Sequence, residues 1–505
     1  MGTVETKEEV TFKLNGIDVT VPKGTTVMAA AKREKVAIPH FCWHPGLSVA
    51  GVCRFCMVKV KGRPKLEISC NLEATPGMEV DTVSDEVKDS HKWALEFHLA
   101  NHPLDCPICD QAGECGLQKY YMSVGKYNSQ MTEEKVLKPK ALDVGDKLVL
   151  DTERCILCSR CVRFENEVTK TGGLGIFDRG DRAIIGTYGD EKITHNYQEN
   201  LVDICPVGAF TSKEFRFKQR VWFLKEKSSI CPGCSTGCAV SIHAKPEMET
   251  YFRVKPRYDK KVNGHWMCDK GREILSGLDK KERLENSYLQ DQDEFSTCER
   301  PDMINHLNSL LSRFRGKKIS LLVSAQYTNE EYERLFSFFV EKMGVRSIFQ
   351  WRSKEEKLND FDGILLRGDR NPNTRGLLDA LRKFHILKEV ENEFEACLTS
   401  SSDLIFAFSP LLSSSFSSFE EDLARLSKLK SCVCLFTTSY QARDYIGFNS
   451  LIPLVSFPEK TGHYTNYKGE KRELEGAYPS FIHEGFDVCE LVNELDSNIK
   501  ASLRA

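Results

Sequence analysis

Apolar and polar residues alternate over positions 9–22, on either side of Asn15-Gly16. Both positions of such a tight turn favour a positive φ angle, so the pattern predicts a β-hairpin. We expect a helix next, capped by Thr25 or Thr26 and running through Arg33. After an irregular loop, further strands are predicted at Met57–Val60 and Glu79–Val83. The order of hairpin, helix, loop and strands indicates a β-grasp domain.

The periodicity changes along the rest of the chain. Ser84 precedes a helical pattern, and a polar linker spans Asn128–Pro139. After about residue 300, short β-rich runs alternate with helical stretches, which predicts an α/β unit with a mainly parallel sheet. The predicted strands are Ile319–Ser324, Gly363–Leu366, Leu404–Phe408 and Cys432–Phe436. The predicted helices are Glu330–Met343 and Thr374–Phe384, and Ser413–Ser418 is a serine-rich loop.

Composition excludes several classes of protein. A chain of 505 residues is too long for one ordinary domain. Hydrophobic residues make up 41% and charged residues 28%, and the formal net charge is −3, which gives no sign of binding to nucleic acid or to a membrane surface. No apolar run is long enough to cross a bilayer. The first ten residues fit neither a secretory signal nor a mitochondrial presequence.

Cysteine is the outlier. Of 20 cysteines, all but five lie between Cys42 and Cys268. Dense cysteine indicates either disulfides in an oxidising compartment or metal thiolates in a reducing one. Without a secretory signal, we favour thiolates. Soft thiolates select iron–sulfur clusters, zinc or copper(I), and the spacing decides among them.

The first set is Cys42, Cys53, Cys56 and Cys70, which lie within the expected β-grasp domain. It has the order of a plant-type 2Fe–2S ferredoxin site with a longer first gap. Gly46 and Gly51 in the same loop would allow the backbone to approach inorganic sulfide closely. A structural zinc site is the alternative.

The second set has only three thiols, Cys106, Cys109 and Cys115, and therefore needs a fourth ligand for a 4Fe–4S cluster. His102 lies four residues upstream, before the turn at Pro103, and is the preferred candidate. His98, one helical turn earlier, is the competitor. A neutral imidazole in place of a thiolate removes one negative charge, which by itself raises the reduction potential.

The third set is Cys155, Cys158 and Cys161 with the distant Cys205-Pro206. Bacterial ferredoxins use this arrangement, and here one three-cysteine run and one Cys-Pro should close on a single 4Fe–4S cluster. Three arginines crowd the run and either offset the negative charge of a cluster or are solvated surface charges: Arg154, Arg160 and Arg163.

The fourth set is Cys231, Cys234, Cys238 and Cys268. Alone it could be a zinc ribbon, but beside three iron–sulfur sites a 4Fe–4S cluster is the better interpretation. The other five cysteines lack ligand spacing and are expected to be small core residues: Cys298, Cys397, Cys432, Cys434 and Cys489. No nucleotide-binding or hydrolase motif is recognisable, so we expect a chain that carries electrons and has no catalytic residues of its own.

Four stretches resemble one family. His102–Cys109, Gly113–Gln118, Arg154–Arg163 and Asp203–Ala209 are similar to the large iron–sulfur subunit of bacterial NADH:quinone oxidoreductase, respiratory complex I. The resemblance implies that the first three sets carry electrons from a flavin-bearing, NADH-binding subunit to a two-cluster 4Fe–4S subunit, and on to quinone-proximal subunits of the peripheral arm. It implies that the fourth cluster lies to one side of this path. It also implies a location on the cytoplasmic side of the inner membrane, reached only through the complex.

The motifs divide the chain into an α+β multidomain protein. We expect a 2Fe–2S ferredoxin-type (β-grasp) domain at 9–83, a helical His/Cys3 4Fe–4S domain at 84–142 and a ferredoxin-like 4Fe–4S domain at 143–227. A 4Fe–4S module of molybdopterin-oxidoreductase type at 228–285 and a shortened α/β domain of the same type at 286–505 complete the chain. The segment Pro458–Asn466 with Gly469 resembles the end of that last domain. The resemblance implies a degenerate scaffold, and no molybdopterin is expected.

Two rival functions share this cluster array. A formate dehydrogenase needs a catalytic metal site downstream, which the cysteine-poor C-terminal region does not offer. An electron-transfer subunit of an NAD-linked hydrogenase explains the first three sets but leaves residues 228–505 unexplained. A zinc-stapled scaffold is the alternative outside redox chemistry.

Overall fold

The computed structural model describes residues 8–126, 128, 131–278, 280–291, 294–354, 357–412 and 416–502. The chain divides into two compact units, an N-terminal unit of Met1–Phe223 and a C-terminal unit of Leu224–Ala505. Within the described residues, no helix is both long and apolar enough to cross a membrane.

The N-terminal unit is built from short strands and helices. Its strands are β1 (Glu9–Leu14), β2 (Ile17–Pro22), β3 (Met57–Val60), β4 (Glu67–Ile68), β5 (Glu79–Asp81), β6 (Leu142–Gly145), β7 (Leu148–Leu150), β8 (Leu174–Phe177), β9 (Ile184–Thr187) and β10 (Phe210–Ser212). Its helices are α1 (Val27–Arg33), α2 (Asp85–Leu99), α3 (Gly116–Val124), α4 (Arg160–Phe164) and α5 (Asn200–Ile204).

The predicted hairpin is confirmed at the start of a five-stranded sheet with the order β2-β1-β5-β3-β4. Asn15 and Gly16 have φ angles of 51° and 83°, as a two-residue hairpin turn requires. The predicted cap of α1 is Thr26, whose side chain accepts a hydrogen bond from the Ala29 amide at 3.2 Å. The irregular loop between α1 and β3 carries the first cysteines, so this small domain holds them against a packed core.

The polar linker is attached to the end of α2. Lys135 Nζ donates hydrogen bonds to the carbonyl oxygens of Leu99 and Ala100 at 3.0 and 2.8 Å. The last carbonyls of a helix have no partner within the helix, so this ammonium group satisfies them. The described part of the linker is therefore held beside the segment that carries the second set.

The C-terminal unit contains two sheets and a hairpin among its described residues. Its strands are β11 (Lys225–Ile230), β12 (Ala239–Lys245), β13 (Thr250–Pro256), β14 (Ser287–Asp291), β15 (Glu294–Cys298), β16 (Ile319–Ser324), β17 (Ser347–Trp351), β18 (Leu404–Phe408), β19 (Cys432–Thr437), β20 (Ser450–Pro453), β21 (Gly462–Thr465) and β22 (Lys471–Leu474). Its helices are α6 (Asp269–Arg272), α7 (Arg300–Arg313), α8 (Asn329–Phe336), α9 (Thr374–Lys383), α10 (Phe394–Thr399), α11 (Phe419–Leu426) and α12 (Val488–Ser502).

The predicted parallel sheet is confirmed as the centre of this unit. The strand order is β15-β14-β20-β19-β18-β16-β17, and the strands from β20 to β17 pair in parallel. Every residue of β16 and β18 is buried. Parallel strands covered on both faces are apolar along their whole length, which is why these runs were recognisable in the sequence.

One predicted strand, Gly363–Leu366, is wrong. The Asp362 carboxylate accepts hydrogen bonds from the backbone amides of Ile364, Leu365 and Leu366, each at 3.0 Å. An aspartate that binds its own downstream amides competes with sheet pairing and forms a turn instead. A second difference lies in the predicted helix Glu330–Met343, which is α-helical only as far as Phe336 and continues as a π-helix over Ser337–Lys342. Part of the serine-rich loop, Ser413–Ser415, lies outside the described residues.

Two buried ion pairs hold the segment that follows β20. Both nitrogens of the Arg283 guanidinium fork donate to the Glu459 carboxylate, at 2.5 and 2.8 Å, and both side chains are fully buried. Lys460 Nζ lies 2.6 Å from Glu331 Oε1, and each of these side chains is 2% exposed. Burial by itself would raise the pKa of Glu459, but the adjacent guanidinium outweighs burial and lowers it. The closing motif identified in the sequence is thus a structural anchor of the C-terminal unit.

Replacing Arg283 by Met should destabilise the C-terminal unit by about 3–5 kcal/mol, because it leaves the Glu459 carboxylate buried without its counter-charge. The lowered pKa of Glu459 means that the pair contributes stability above the ordinary carboxyl pKa of about 4.3 and loses it as the pH falls. The matched control is Arg257→Met, because Arg257 makes the same forked contact with Glu475 at a partly exposed position. The control substitution should lower the free energy of unfolding by less than about 1 kcal/mol. The destabilisation by each variant can be measured from amide hydrogen exchange of the seven-stranded sheet at increasing urea concentration. Equal destabilisation by Arg283→Met and Arg257→Met would contradict the prediction.

Candidate metal centres

Each of the four predicted ligand sets is brought together in space. Three lie in the N-terminal unit and the fourth lies in the C-terminal unit. Among the described residues, no three His, Cys, Asp or Glu side chains converge on the position of a single metal ion. Cluster ligands bind different iron atoms of one core, so they need to surround a space and not a point.

The first set occupies the loop between α1 and β3 and the start of the segment after β4. All four thiols are buried, and the Cys42 amide points at Cys53 Sγ from 3.5 Å. The Cys53 thiol donates to Cys42 and lowers the pKa of Cys42 to about 5. Cys70 donates to Cys56 in the same way and lowers its pKa to about 7. The four sulfurs are thus two contacting pairs: Cys42 and Cys56 favour thiolate, whereas donation to the partner sulfur and burial raise the pKa values of Cys53 and Cys70.

The second set lines a cavity of about 580 Å³. His102, Cys106, Cys109 and Cys115 all contribute to its wall, whereas His98 does not. His98 instead packs edge-on against Phe41 near the first set, with ring centroids 4.9 Å apart. Burial lowers the pKa of His102 to about 4, so its imidazole is neutral, the form that can bind a metal. Its Nδ1 atom is buried and has no hydrogen-bond partner among the described residues.

Gly208, from a distant part of the chain, completes the wall of this cavity. A Cβ atom at Gly208 would lie 2.2 Å from Cys109 Sγ and 3.1 Å from Gln111 Cβ, so only glycine fits. Opposite charges gather at the same wall: Asp105 Oδ2 accepts from Arg154 at 2.8 Å and from Lys140 at 2.7 Å. Arg154 is 4% exposed, so the interpretation of this arginine as solvated surface charge is wrong.

The third set surrounds α4 and the end of α5. Cys161 lies on α4, and Cys205 is the C-terminal cap of α5. Burial raises the pKa of Cys155 to about 12 and that of Cys158 to about 11. The backbone amides of Val207, Ala209 and Phe210 face the Cys205 sulfur. These amides stabilise the thiolate form of Cys205, which burial alone would disfavour. The pocket therefore favours a thiolate that is bound to a positive centre such as a metal.

The fourth set is fully buried between β11, β12 and α6. Cys268 caps the N-terminus of α6, and its sulfur accepts a hydrogen bond from the Gly271 amide at 3.3 Å. A Cβ atom at Gly271 would lie 3.2 Å from Cys231 Sγ and 3.5 Å from Cys268 Sγ, so any side chain here would press against two of the sulfurs. Burial raises the pKa of Cys231 to about 12. The arrangement has the sulfur-rich, water-poor character that a buried cluster requires.

The short cysteine turns share one backbone feature, a residue in the left-handed region. These residues are Arg54 (φ 52°), Gly113 (91°), Leu157 (55°), Ser159 (60°) and Gly237 (65°). A left-handed residue reverses the chain so that amides and sulfurs on either side of it face one centre, as in anion-binding nests. Three of the five are not glycine, and such residues adopt this conformation only where their surroundings enforce it.

Of the remaining cysteines, Cys432 and Cys434 share a side-chain hydrogen bond on one face of β19. Cys397 and Cys434 are fully buried in the hydrophobic core, which confirms the expectation for these two. Sequence reasoning missed Gly208, Gly271 and the partners of Arg160 and Arg163. Gly208 stood within a recognised motif, but its contact with Cys109 joins positions far apart in the chain.

Comparisons with known families match four segments, and each segment encloses one complete ligand set. A 2Fe-2S iron-sulfur cluster binding domain matches residues 7–85, and an NADH-ubiquinone oxidoreductase-G iron-sulfur binding region matches residues 92–130. The ferredoxin-like domain of NADH-quinone oxidoreductase subunit 3 matches residues 145–211, and a molybdopterin oxidoreductase Fe4S4 domain matches residues 224–279. The chain therefore contains domains of 2Fe–2S and 4Fe–4S types, as predicted.

Similar whole proteins include three oxidoreductase subunits. The potato mitochondrial NADH dehydrogenase [ubiquinone] iron-sulfur protein 1 is 38% identical over 340 residues, 66% of this chain and 45% of that protein. A subunit of the NADH-quinone oxidoreductase of Mycobacterium bovis is 34% identical over 367 residues, 71% of this chain and 45% of its own length. The NADH-ubiquinone oxidoreductase 75 kDa subunit of Reclinomonas americana is 34% identical over 66% of this chain and 48% of its own length. The chain spans about half the length of these relatives.

Among solved structures, a chain from an NAD+-reducing [NiFe]-hydrogenase in the H2-reduced state is 30% identical. The match covers 42% of this chain and 91% of that chain, with a TM-score of 0.37.

Gly208→Ala should prevent the second set from holding a cluster, because the added methyl carbon would lie 2.2 Å from Cys109 Sγ and displace that ligand. We expect the reconstituted chain to lose about four iron atoms and the electron paramagnetic resonance (EPR) signal of that cluster. The control is Gly186→Ala, whose Cβ would meet Phe177 at an ordinary 3.5 Å. Full iron content in the Gly208 variant would show that the cavity does not hold a cluster as described.

His102→Cys should keep the second cluster but lower its reduction potential, because a thiolate adds negative charge that disfavours the reduced state. A shift of at least about 59 mV, tenfold for a one-electron couple, is expected in an EPR redox titration. His98→Asn is the control and should leave that potential in place. If the His98 variant lost the signal and the His102 variant did not, the ligand assignment would be reversed.

Proposed function

We propose that this chain, which is related to the large iron–sulfur subunits of NADH:quinone oxidoreductases, holds four protein-bound iron–sulfur clusters and carries electrons through three of them within such a complex. The observation that carries the proposal is the coincidence of four matched iron–sulfur segments with four complete, spatially gathered ligand sets. The chain itself supplies ligands, positioning and electrostatics, and we assign no catalytic residue to it.

The proposed cofactors are one 2Fe–2S cluster and three 4Fe–4S clusters. Cys42, Cys53, Cys56 and Cys70 would hold the 2Fe–2S cluster. His102, Cys106, Cys109 and Cys115 would hold the second cluster, with a neutral imidazole as the fourth ligand. The third and fourth clusters would be held by Cys155, Cys158, Cys161 and Cys205, and by Cys231, Cys234, Cys238 and Cys268. Bound to these ligands, the clusters would accept and release single electrons, while the amide-lined pockets of the first, third and fourth sets limit access of water and hold the thiolates in place.

The electron path is proposed to use the first three sets. These sets share the N-terminal unit, and arginine side chains of the third set's segment hydrogen-bond to the segments of the first and second sets. The fourth set belongs to the molybdopterin-type module of the other unit and is proposed to lie off the path. No molybdopterin is proposed for the C-terminal unit.

Large exposed apolar side chains around the second set support docking of a partner there. Leu104 is 90% exposed, Phe97 77% and Met122 73%, and both Leu104 and Phe97 line the cavity. Exposed apolar groups clustered in this way are typical of protein interfaces. We propose the two-cluster 4Fe–4S subunit as the partner at this face, with the flavin-bearing subunit and quinone-proximal subunits elsewhere in the complex. Association with the cytoplasmic side of the membrane would then be peripheral.

The molybdopterin-type segment also keeps a formate dehydrogenase subunit as a second candidate. Metal analysis separates the two, since that enzyme requires molybdenum or tungsten and the proposed one does not.

Anaerobic reconstitution of the full chain with iron and sulfide tests the proposal. We expect about 14 iron atoms per chain and EPR signals from one 2Fe–2S and three 4Fe–4S clusters upon reduction. A colourless chain that bound only zinc would refute it, because zinc is silent in visible absorption and EPR.

Two cysteine variants test the proposed path. Cys158→Ala should reduce the iron content to about ten and block NADH-driven quinone reduction by the assembled complex. Cys234→Ala should also lose about four iron atoms but lower turnover far less, because its cluster is proposed to lie off the path. Equal losses of turnover would place the fourth cluster on the path.

A further inference from the structure

Arg160 joins the backbone of the first set to that of the third. Its Nη2 atom donates a hydrogen bond to the Trp43 carbonyl oxygen at 2.6 Å, and its Nη1 atom donates to the Ile204 carbonyl oxygen at 2.9 Å. Trp43 directly follows Cys42, and Ile204 directly precedes Cys205. One guanidinium group therefore fixes the chain next to a ligand of each set.

Arg163, one turn further along α4, makes a second link. Its Nη2 atom donates to the carbonyl oxygen of Cys42 itself at 2.5 Å, and Nη1 donates to the Ser48 carbonyl oxygen. Ser48 is also bound by the Glu167 carboxylate, which accepts from its amide at 2.8 Å and from its hydroxyl at 2.5 Å. The loop of the first set is thus fastened at two points to the segment that carries Cys158 and Cys161.

Both arginines are close enough to act on thiols of both sets. The electrostatic neighbours of Arg160 are Cys158, Cys205, Cys42 and the second arginine, Arg163. Arg163 acts in the same way on Cys42 and on Cys158. A planar guanidinium keeps its charge at any physiological pH, and in a partly buried position that charge is screened much less than at an exposed one. The two positive charges therefore belong to neither site alone.

We propose that Arg160 and Arg163 are shared positioning residues, which fix the first and third clusters relative to each other and stabilise the reduced form of both. The inference rests on the proposed function, since it assumes that both ligand sets hold clusters. Reduction adds one electron and hence one negative charge to an already anionic centre, so a nearby guanidinium favours the reduced state. One cation pair thereby raises two reduction potentials together.

The test is an EPR redox titration of the anaerobically reconstituted full chain. Arg163→Gln removes the charge, whereas Arg163→Lys retains it and loses the fork. The Gln variant should shift the reduction equilibria of both the first and the third cluster at least about tenfold toward the oxidised form, about 59 mV each. In the Lys variant, the reduction potentials of the first and third clusters should return most of the way to those of the unaltered chain. The reduction potentials of the second and fourth clusters should stay the same in both variants. Exposed Arg179→Gln is the control for loss of a cation from the same unit.

The outcomes are separable. Absence of the first or third signal in the unaltered chain overturns the proposed function and not this inference alone. With the signals present, a shift confined to one cluster, or equal shifts in the Gln and Lys variants, overturns the shared electrostatic role. Should Arg163→Gln fail to retain its clusters, the Arg160→Gln and Arg160→Lys pair is read in the same way, because Arg160 contacts both segments independently.

Discussion

The convergence of several sulfurs on one small volume constrains the backbone of this chain more than any other requirement. The cysteine turns contain residues in the left-handed region, which reverse the chain so that nearby sulfurs and amides face one centre. At Arg54, Leu157 and Ser159 this conformation costs roughly 1–2 kcal/mol per residue. The binding of thiolates to a positive centre is the interaction that can offset such a cost.

The ends of short helices supply the remaining ligands. Cys115 and Cys268 cap the N-termini of α3 and α6, and Cys205 caps the C-terminus of α5. At an N-terminus the free backbone amides and the helix dipole both favour an anionic sulfur, as the contact between Gly271 and Cys268 illustrates. Helices as short as α5 and α6 contribute little stability alone. They are retained because they place a sulfur and its hydrogen-bond donors together.

The features of the fold and of the ligand sets that depend on neighbouring residues could be predicted from the sequence. The Asn15-Gly16 turn, the cap at Thr26 and the fully apolar strands β16 and β18 each follow from a few neighbouring residues. The cysteine sets were recognisable because ligand spacing is also a short-range pattern. The prediction of a strand at Gly363–Leu366 followed the apolar side chains of this run. It did not take account of the preceding Asp362 carboxylate, which binds the backbone amides that a strand would need. The fit of Gly208 against Cys109 and the contacts of Arg160 with Trp43 depend on chain packing, which no local pattern encodes.

The cavity of the second set is open to solvent on one side. Cys106 is exposed while Cys115 is buried, so one corner of this site faces solvent and the opposite corner faces the protein interior. Dioxygen and peroxide reach an exposed sulfur first, and thiolates with that access are the ones that oxidise. A subunit seated over Leu104 and Phe97 would close the same corner. In the isolated chain, oxidation at the proposed centre would begin at Cys106, and iron could reach the site after folding, whereas a subunit docked as proposed would close both routes.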